Sequence, residues 1–591
     1  MRFIQAGNLI NMRQVNLKDR LESAKREFKL FSTLMKHFVV RLFNNDILKF
    51  ENQKRESLVV LLTILAVSGG VISTVLLLPY LSGKLGYTFD TAWQEKSFFI
   101  TLSMAFTGII SVINWDNMYL DERDYIYLSG LPVNTSTMYA AKFFSLLVFV
   151  GIISLAFNLF SLLVFMSYLG KIVNLNPFYD TGIFTFGFIH LLSSFMANLF
   201  VFMTVALVQL FLMLIFKDRW FKRISLVVQA FLLMGFISVF AWFPRVYSLI
   251  GQFKGEASSF MFYFPPMWFV GLYEQMVGNY DFVFKPLYYI AGIAVVLLCD
   301  IYLAGIPLSL RRFSNASVVS GRASKFRKTA MKVKEKFDSL FLENPLEKAI
   351  FYFSLATLNR SRRHRLQLVV SLTLPLAFIA TELTVLALTK GWIYFKEVEF
   401  FLVAIPSVFY VFLVVGFRVA VLHPIAEEAN WIFRITELGS PIYYLRGLKK
   451  AFFLMGILPL FFVLFFFYFF CWGFLPALYH SLFAIGAVLL LVESFFMDYS
   501  KMPFASGYVP GKANIKAFWF LYTAGFAGFV YLFSKLGIFL LRNPLYYMFY
   551  YLAVFALLWL SKQYRRRKLK EFHFVFDEEP EPAMLGLGLD V

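Results

Sequence analysis

Apolar and polar positions along the chain segregate into twelve long apolar runs joined by mostly short polar connections. The runs cover approximately residues 57–81, 97–113, 142–168, 183–216, 224–242, 287–307, 366–388, 400–420, 452–472, 477–496, 518–536 and 544–560. A bilayer core of ~30 Å takes about 20 helical residues to cross, because in lipid every backbone N–H and C=O must be bonded within the segment. Each run is therefore a candidate transmembrane helix. The fourth is longer than a bilayer needs and predicts a helix that tilts, kinks or extends into water. Phe-rich stretches such as 460–470 have the composition of buried strands, yet their length and neighbours predict helix. The expected fold class is an all-α polytopic membrane protein with about twelve transmembrane helices.

Composition strengthens that picture. Of 591 residues, 59% are hydrophobic, 20% aromatic and only 16% charged, and the mean hydropathy is +0.68. These values exclude an ordinary soluble domain. Lys and Arg number 56 against 36 for Asp and Glu, a net charge of +20 that must collect between the apolar runs. It does so unevenly. The first 56 residues carry 12 Lys/Arg and residues 308–365 carry 14, while the tail after the last run begins Lys562, Arg565, Arg566, Arg567, Lys568 and Lys570. Alternate connections are poor in cations, so the positive-inside bias predicts an even number of spans in the plasma (cytoplasmic) membrane, with both termini cytoplasmic. The polar start lacks the basic-apolar-cleavage pattern of a secretory signal, and the mature chain is expected to begin at or near Met1. Cys299 and Cys471 both lie within apolar runs and suggest neither a disulfide framework nor a zinc site.

The basic segment 308–365 divides the spans six and six, and the parts recur in the same order in each half. The expected organisation is a cytoplasmic N-terminus with an amphipathic helix (1–56), a first six-span half (57–307), a basic linker with a second amphipathic helix (308–365), a second six-span half (366–560) and a cytoplasmic tail (561–591). The amphipathic stretches begin at Phe31 and Phe351, where apolar positions recur every three or four residues between cations, a pattern suited to a helix in the membrane interface. A solvated basic linker is the alternative. After the second span of each half comes an acidic-aromatic segment. The first contains Asp121, Glu122, Arg123, Tyr125, Leu131 and Pro132, ahead of Lys142; the second contains Glu428, Trp431, Phe433, Arg434 and Glu437, ahead of Lys449 and Lys450. The first reverses the positive-inside trend, which a protein partner covering it would explain.

This layout resembles the membrane (permease) subunits of ABC-2 type exporters, in a fused, double-length form. The resemblance rests on the two amphipathic helices, on residues 121–132 with Lys142, on 427–438, and on 501–512. It implies that the acidic-aromatic segments are coupling helices seated on cytoplasmic ABC ATPase subunits, a pair of them. Asp121, Glu122, Arg123, Tyr125, Leu131, Pro132, Glu428, Trp431, Phe433, Arg434 and Glu437 would supply the aromatic anchors and register-fixing charges that such a contact uses. An ordinary inside loop with capping carboxylates is the alternative. The resemblance also implies that the chain itself binds no cofactor, ATP and magnesium belonging to the partner. Membrane lipids and an unidentified exported substrate complete the expected partners; nucleic acid is not among them. Between the fifth and sixth spans, Pro265, Pro266 and Trp268 lie in an apolar segment too short and too broken to span, which predicts re-entrant or interfacial packing on the outer side. It caps a translocation path under the resemblance, or else anchors the membrane interface. The short connection between the last two spans has no such segment.

Other chemistries find less support. Residues 506–513 superficially resemble a phosphate loop but lack its first Gly, and Ala513 stands where Ser or Thr would hold magnesium. No zinc-protease or serine-hydrolase motif occurs. Glu382, Arg418, Glu493, Asp300 and His190 fall within spans without forming an evident connected set, as an ion-coupled carrier would require. Asn158, Asn198, Gln209 and Gln229 read as interhelical glue. A membrane-embedded transferase acting on a lipid-linked substrate would have Asp90 and Glu95, in the first outer connection, as its candidate acids.

Overall fold

The computed structural model describes residues 25–43, 54–81, 89–120, 124, 128, 133–174, 182–216, 218–242, 260–278, 282–314, 338, 341–342, 344–391, 395–396, 400–422, 441–497, 499, 502–504 and 515–568. Among them every regular element is helical. Twelve helices are long and apolar enough to cross a membrane, and the chain is an integral, multi-pass membrane protein. Large apolar side chains such as Leu163, Phe231, Phe470 and Phe555 remain exposed along these helices, the reverse of a water-facing surface. Several helices overrun their apolar runs. The second begins at Phe89 and the seventh at Arg362, because an α-helix satisfies its own backbone and continues past the apolar boundary until its sequence stops it. Asp90 and Glu95 therefore stand in a helix rather than in a connection, and Glu95 is buried. The residues fall into two compact units, Met1–Val319 and Ser320–Val591, with six candidate spans in each.

In the first unit the second span, Trp93–Ile113, lies at the centre with 83% of its residues buried, and the fourth, Phe184–Ile215, follows at 56%. The second packs on the fourth and fifth, the fourth on the third and sixth, and the first on the third. Phe99 and Phe106 of the second span lie against Phe157 of the third, with ring centroids 5.4 and 5.0 Å apart. Asn198 acts as glue: its Nδ2 donates to Ser103 Oγ at 3.0 Å and to Ser154 Oγ at 2.9 Å, tying the fourth span to the second and third. Asn158 bonds within its own helix, to Ser154 O. Gln229 is buried with neither amide atom hydrogen-bonded among the described residues. Helical residues 25–43 bury Leu34, Phe38 and Leu42, spaced four apart on one face, and leave Lys25, Arg26, Lys29 and Lys36 exposed. That face meets the start of the third span, where Phe31 contacts Phe144 and Phe43 contacts Phe149.

In the second unit the eighth span, Phe400–Leu422, is central with 67% of its residues buried. It packs on the seventh, tenth and eleventh, while the tenth packs on the ninth and twelfth. Tyr468 OH donates to Leu402 O at 2.6 Å, and Tyr550 OH to Phe483 O at 2.9 Å, fastening the ninth span to the eighth and the twelfth to the tenth. The ninth span has three parts: an α-helix Pro441–Phe452, a π-helical turn Phe453–Ile457, and an α-helix Leu458–Trp472. Pro459 accounts for the irregularity. It has no N–H to give residue 455 and its ring crowds that carbonyl, and the wider turn relieves both. Helix Pro345–Arg360 starts in the manner its sequence dictates, with Asn344 Oδ1 accepting from Leu346 N at 2.8 Å and Pro345 in the first turn. It lies against Pro441–Phe452 so closely that a Cβ on Gly447 would stand 2.5 Å from Glu347 O. Lys450 pairs with Glu347 across the contact at 2.5 Å.

Candidate functional site

In the first unit two assemblies grip opposite ends of the second span. One surrounds the segment containing Pro265, Pro266 and Trp268. This segment folds into two short helices, Phe260–Tyr263 and Pro265–Val277, the second opened by its prolines and closed at Gly278 in the left-handed conformation (φ 99°). At ~1.5 Å per residue a 13-residue helix measures about 20 Å, too short to cross the bilayer. Trp268 Nε1 donates to Phe262 O at 2.9 Å and binds the two pieces together, while its ring meets Phe200 of the fourth span edge-on at 5.5 Å. Pro266, Val270, Tyr273, Glu274 and Val277 form one buried face. The helix packs on the second, fourth and sixth spans. At Gly271 a Cβ would come within 2.5 Å of Leu287 Cβ and 3.0 Å of Phe284 O, so glycine permits the approach to the sixth span.

The face closes over an ion pair. Lys96 Nζ lies 2.7 Å from Glu274 Oε1, and the two side chains are 2% and 0% exposed. Charges held this deep need mutual neutralisation, since each ion carries an effective desolvation cost of several kcal/mol. Aromatic groups complete the shell: Lys96 Nζ sits 4.3 Å from the Tyr273 ring centroid and 5.6 Å from that of Phe186. Burial, and secondarily the Glu274 carboxylate, push the Tyr273 phenol well above its ordinary value and keep it neutral. His190 stacks on Phe165 at 4.9 Å, meets Tyr273 edge-on, and lies 3.4 Å from Ser161 Oγ. Ser97 Oγ donates to Met267 Sδ at 3.0 Å. The assembly is a closed latch between the short helix and the second span, in which Lys96 and Glu274 neutralise each other while the buried Tyr273 hydroxyl has no hydrogen-bond partner among the described residues. Among the described residues no group of three or more His, Cys, Asp or Glu side chains converges as a metal site.

The other assembly holds the root of the first acidic-aromatic segment. The second span stops at Ile113, and a single 3-10 turn, Trp115–Asn117, leads to the buried Met118, Tyr119 and Leu120. Three spans and the N-terminal helix converge there. Lys142 Nζ of the third span donates to Asn117 O at 2.7 Å and lies 4.8 Å from the Phe38 ring centroid. Tyr119 OH donates to Ala206 O of the fourth span at 3.3 Å, and Tyr302 OH of the sixth span to Met118 O at 2.7 Å. Arg41 pairs with the buried Asp124 at 2.5 Å.

Of the residues singled out by sequence, Pro265, Pro266 and Trp268 take part in the first assembly. Asp121, Glu122, Arg123, Tyr125, Leu131, Pro132, Glu428, Trp431, Phe433, Arg434 and Glu437 lie outside the described residues. Sequence reasoning missed Lys96, Glu274, Asp124 and Tyr302 as partners. The available signal was the lone carboxylate of Glu274 within an otherwise apolar segment and the Glu95-Lys96 pair at the edge of an apolar run. No family model, no curated protein and no solved structure matches the chain.

Proposed function

We propose that the chain is the membrane permease of an ABC-2 type exporter, a fused form with two six-span halves, energised by separate cytoplasmic ATPase subunits that hydrolyse ATP. The observation that carries this reading is the recurrence of one packing scheme in the two units. In each, the second span is the most buried and packs on the fourth and fifth, and the fourth packs on the third and sixth. In each, a helix with cations on its surface lies against the start of the third span, residues 25–43 in one and Pro345–Arg360 in the other. The first span is the departure: it packs on the third span in the first unit, whereas the seventh packs on the eighth.

In this mechanism closure of the ATPase pair pushes on the two acidic-aromatic segments in the cytoplasm. The root at Asn117–Leu120 is bonded to spans three, four and six, so a push on residues 121–132 reaches all of them together with the second span. Both termini are cytoplasmic and the short helix Pro265–Val277 faces outward in the plasma membrane, consistent with the distribution of Lys and Arg.

The test is purification of the tagged full-length chain from its native membrane in mild detergent, with mass spectrometry of co-purifying subunits. A stoichiometric nucleotide-binding subunit is expected, and it should be lost on replacement of Asp121, Arg123, Glu428 and Arg434. Reproducible recovery of the intact chain without any ATPase would overturn the reading. One observation favours a second reading, an ion-coupled carrier: the buried Lys96–Glu274 pair. Transport that survives K96M/E274M would remove that alternative.

A further inference from the structure

One cavity in the second unit combines excess positive charge with an apolar wall. It encloses about 330 Å³ between the start of the ninth span and the ends of the tenth and twelfth. Its polar side is formed by Arg446, Lys449, Lys562 and Arg565, four cations facing a single carboxylate, Glu493. That carboxylate is already engaged. Lys449 Nζ lies 2.8 Å from Glu493 Oε1, and Arg565 and Ser561 bond to Glu493 Oε2. Arg446 and Lys562 have no carboxylate partner among the described residues; the Arg446 guanidinium lies 5.8 Å from the Tyr443 ring centroid. Four cations around one neutralised carboxylate, at the edge of a low-dielectric slab, leave a site that favours an added anion.

The other side of the cavity is hydrocarbon. Phe453 and Ile457, from the two ends of the π-helical turn, line it together with Leu489 and Leu558. Beyond Leu558, the neighbouring Phe555, Leu557 and Leu560 of the twelfth span are exposed. A ligand filling this cavity would place a negative group among the cations while its apolar part runs along the span. A basic pocket between spans at one membrane face has the chemistry of an anionic phospholipid site. We propose that this pocket binds the phosphate of an anionic phospholipid, with Arg446 and Lys562 as its principal contacts and the acyl chains along Leu558. The inference is independent of the exporter reading, since it uses only the local chemistry of the second unit.

The test uses the delipidated full-length protein in detergent, titrated with dioleoyl phosphatidylglycerol, with dioleoyl phosphatidylcholine, or with inorganic phosphate, and bound lipid counted by native mass spectrometry. Phosphatidylglycerol should be retained in preference to phosphatidylcholine, and R446Q/K562Q should weaken that retention by about tenfold or more. K562E, at an exposed position, provides a second variant should the double one fold poorly, and K535Q on the eleventh span should leave retention unchanged. Equal retention of the two lipids, or equal retention of phosphatidylglycerol by wild type and both pocket variants, would overturn the proposal. Saturation by inorganic phosphate alone, abolished by the same substitutions, would assign the pocket to a free anion and overturn the lipid assignment.

Discussion

Lys96 and Glu274 are separated by 178 positions in sequence and by 2.7 Å in space, each excluded from solvent. Their pairing joins a short helix that cannot span the bilayer to the most buried span of its unit. Removing one partner leaves the other charge buried and uncompensated. Lys96→Met or Glu274→Met alone should therefore lower stability by about 3–5 kcal/mol, while K96M/E274M together should recover most of the loss. Thermal unfolding of the detergent-solubilised single and double variants measures this coupling; strictly additive losses would show that the pair acts as two independent side chains.

Gly271 gives a steric test of the same contact. Gly271→Val places side-chain atoms where Leu287 Cβ and Phe284 O already approach, and should cost about 1–3 kcal/mol through overpacking. Gly271→Ala should cost less. Melting temperatures of the two variants, with proteolysis of the 260–278 segment as the local readout, distinguish a dislodged helix from global loss of fold.

At the other end of the second span, Arg41 and Asp124 hold the N-terminal helix to the acidic-aromatic segment. The Arg41 side chain is 26% exposed, so solvent screening limits the pair to about 1 kcal/mol. Asp124→Asn should raise hydrogen exchange in residues 25–43 by up to about fivefold and leave the second span protected. Unchanged exchange would mean that Leu34, Phe38 and Leu42 suffice to seat the helix.

Tyr352 provides a spectroscopic handle on the second amphipathic helix. Its hydroxyl donates to Asp338, which also pairs with Lys348 at 2.7 Å. Desolvation, then the hydrogen bond and charge of Asp338, raise the phenol from 10.0 to about 12. A proton held more tightly in the folded chain contributes stability that is complete below about pH 10 and lost as pH rises through about 12. Subtracting the phenolate absorbance of Y352F from that of wild type should reveal one group ionising near the higher value, and D338N should move it back toward the ordinary one.

Much of the architecture is legible in the sequence because lipid imposes a length and a polarity on every crossing segment. The eighth span shows this: an apolar run beginning at Phe400, charged only at Arg418 near its end, becomes the helix Phe400–Leu422. Pro265 and Pro266 similarly announce the start of the short helix that they open. The latch was less legible. Glu95 and Lys96 read as a connection because charge marks the edge of an apolar run, whereas the helix begins six residues earlier than Glu95, at Phe89, and carries both inward. Which distant carboxylate meets Lys96 depends on how three spans and a short helix pack, and hydropathy carries no information about that. The four cations around Glu493 were hidden for the same reason. They come from the ninth and twelfth spans and meet Glu493 of the tenth, and the π-helical turn that shapes their cavity follows from local crowding at Pro459.

The second span carries the latch at Lys96 near one end and the Asn117–Leu120 root just past the other. Between Lys96 and Ile113 runs unbroken α-helix, about 25 Å of it, without an internal proline or glycine pair to bend it. Such a rod is far stiffer along its axis than the side-chain contacts at its tips. The two membrane faces of the first unit are therefore metrically coupled. Axial travel of the root by a given amount must appear at the latch as the same travel, or break it, and a spin-label pair placed at the two ends should keep a constant separation in every state that the protein visits.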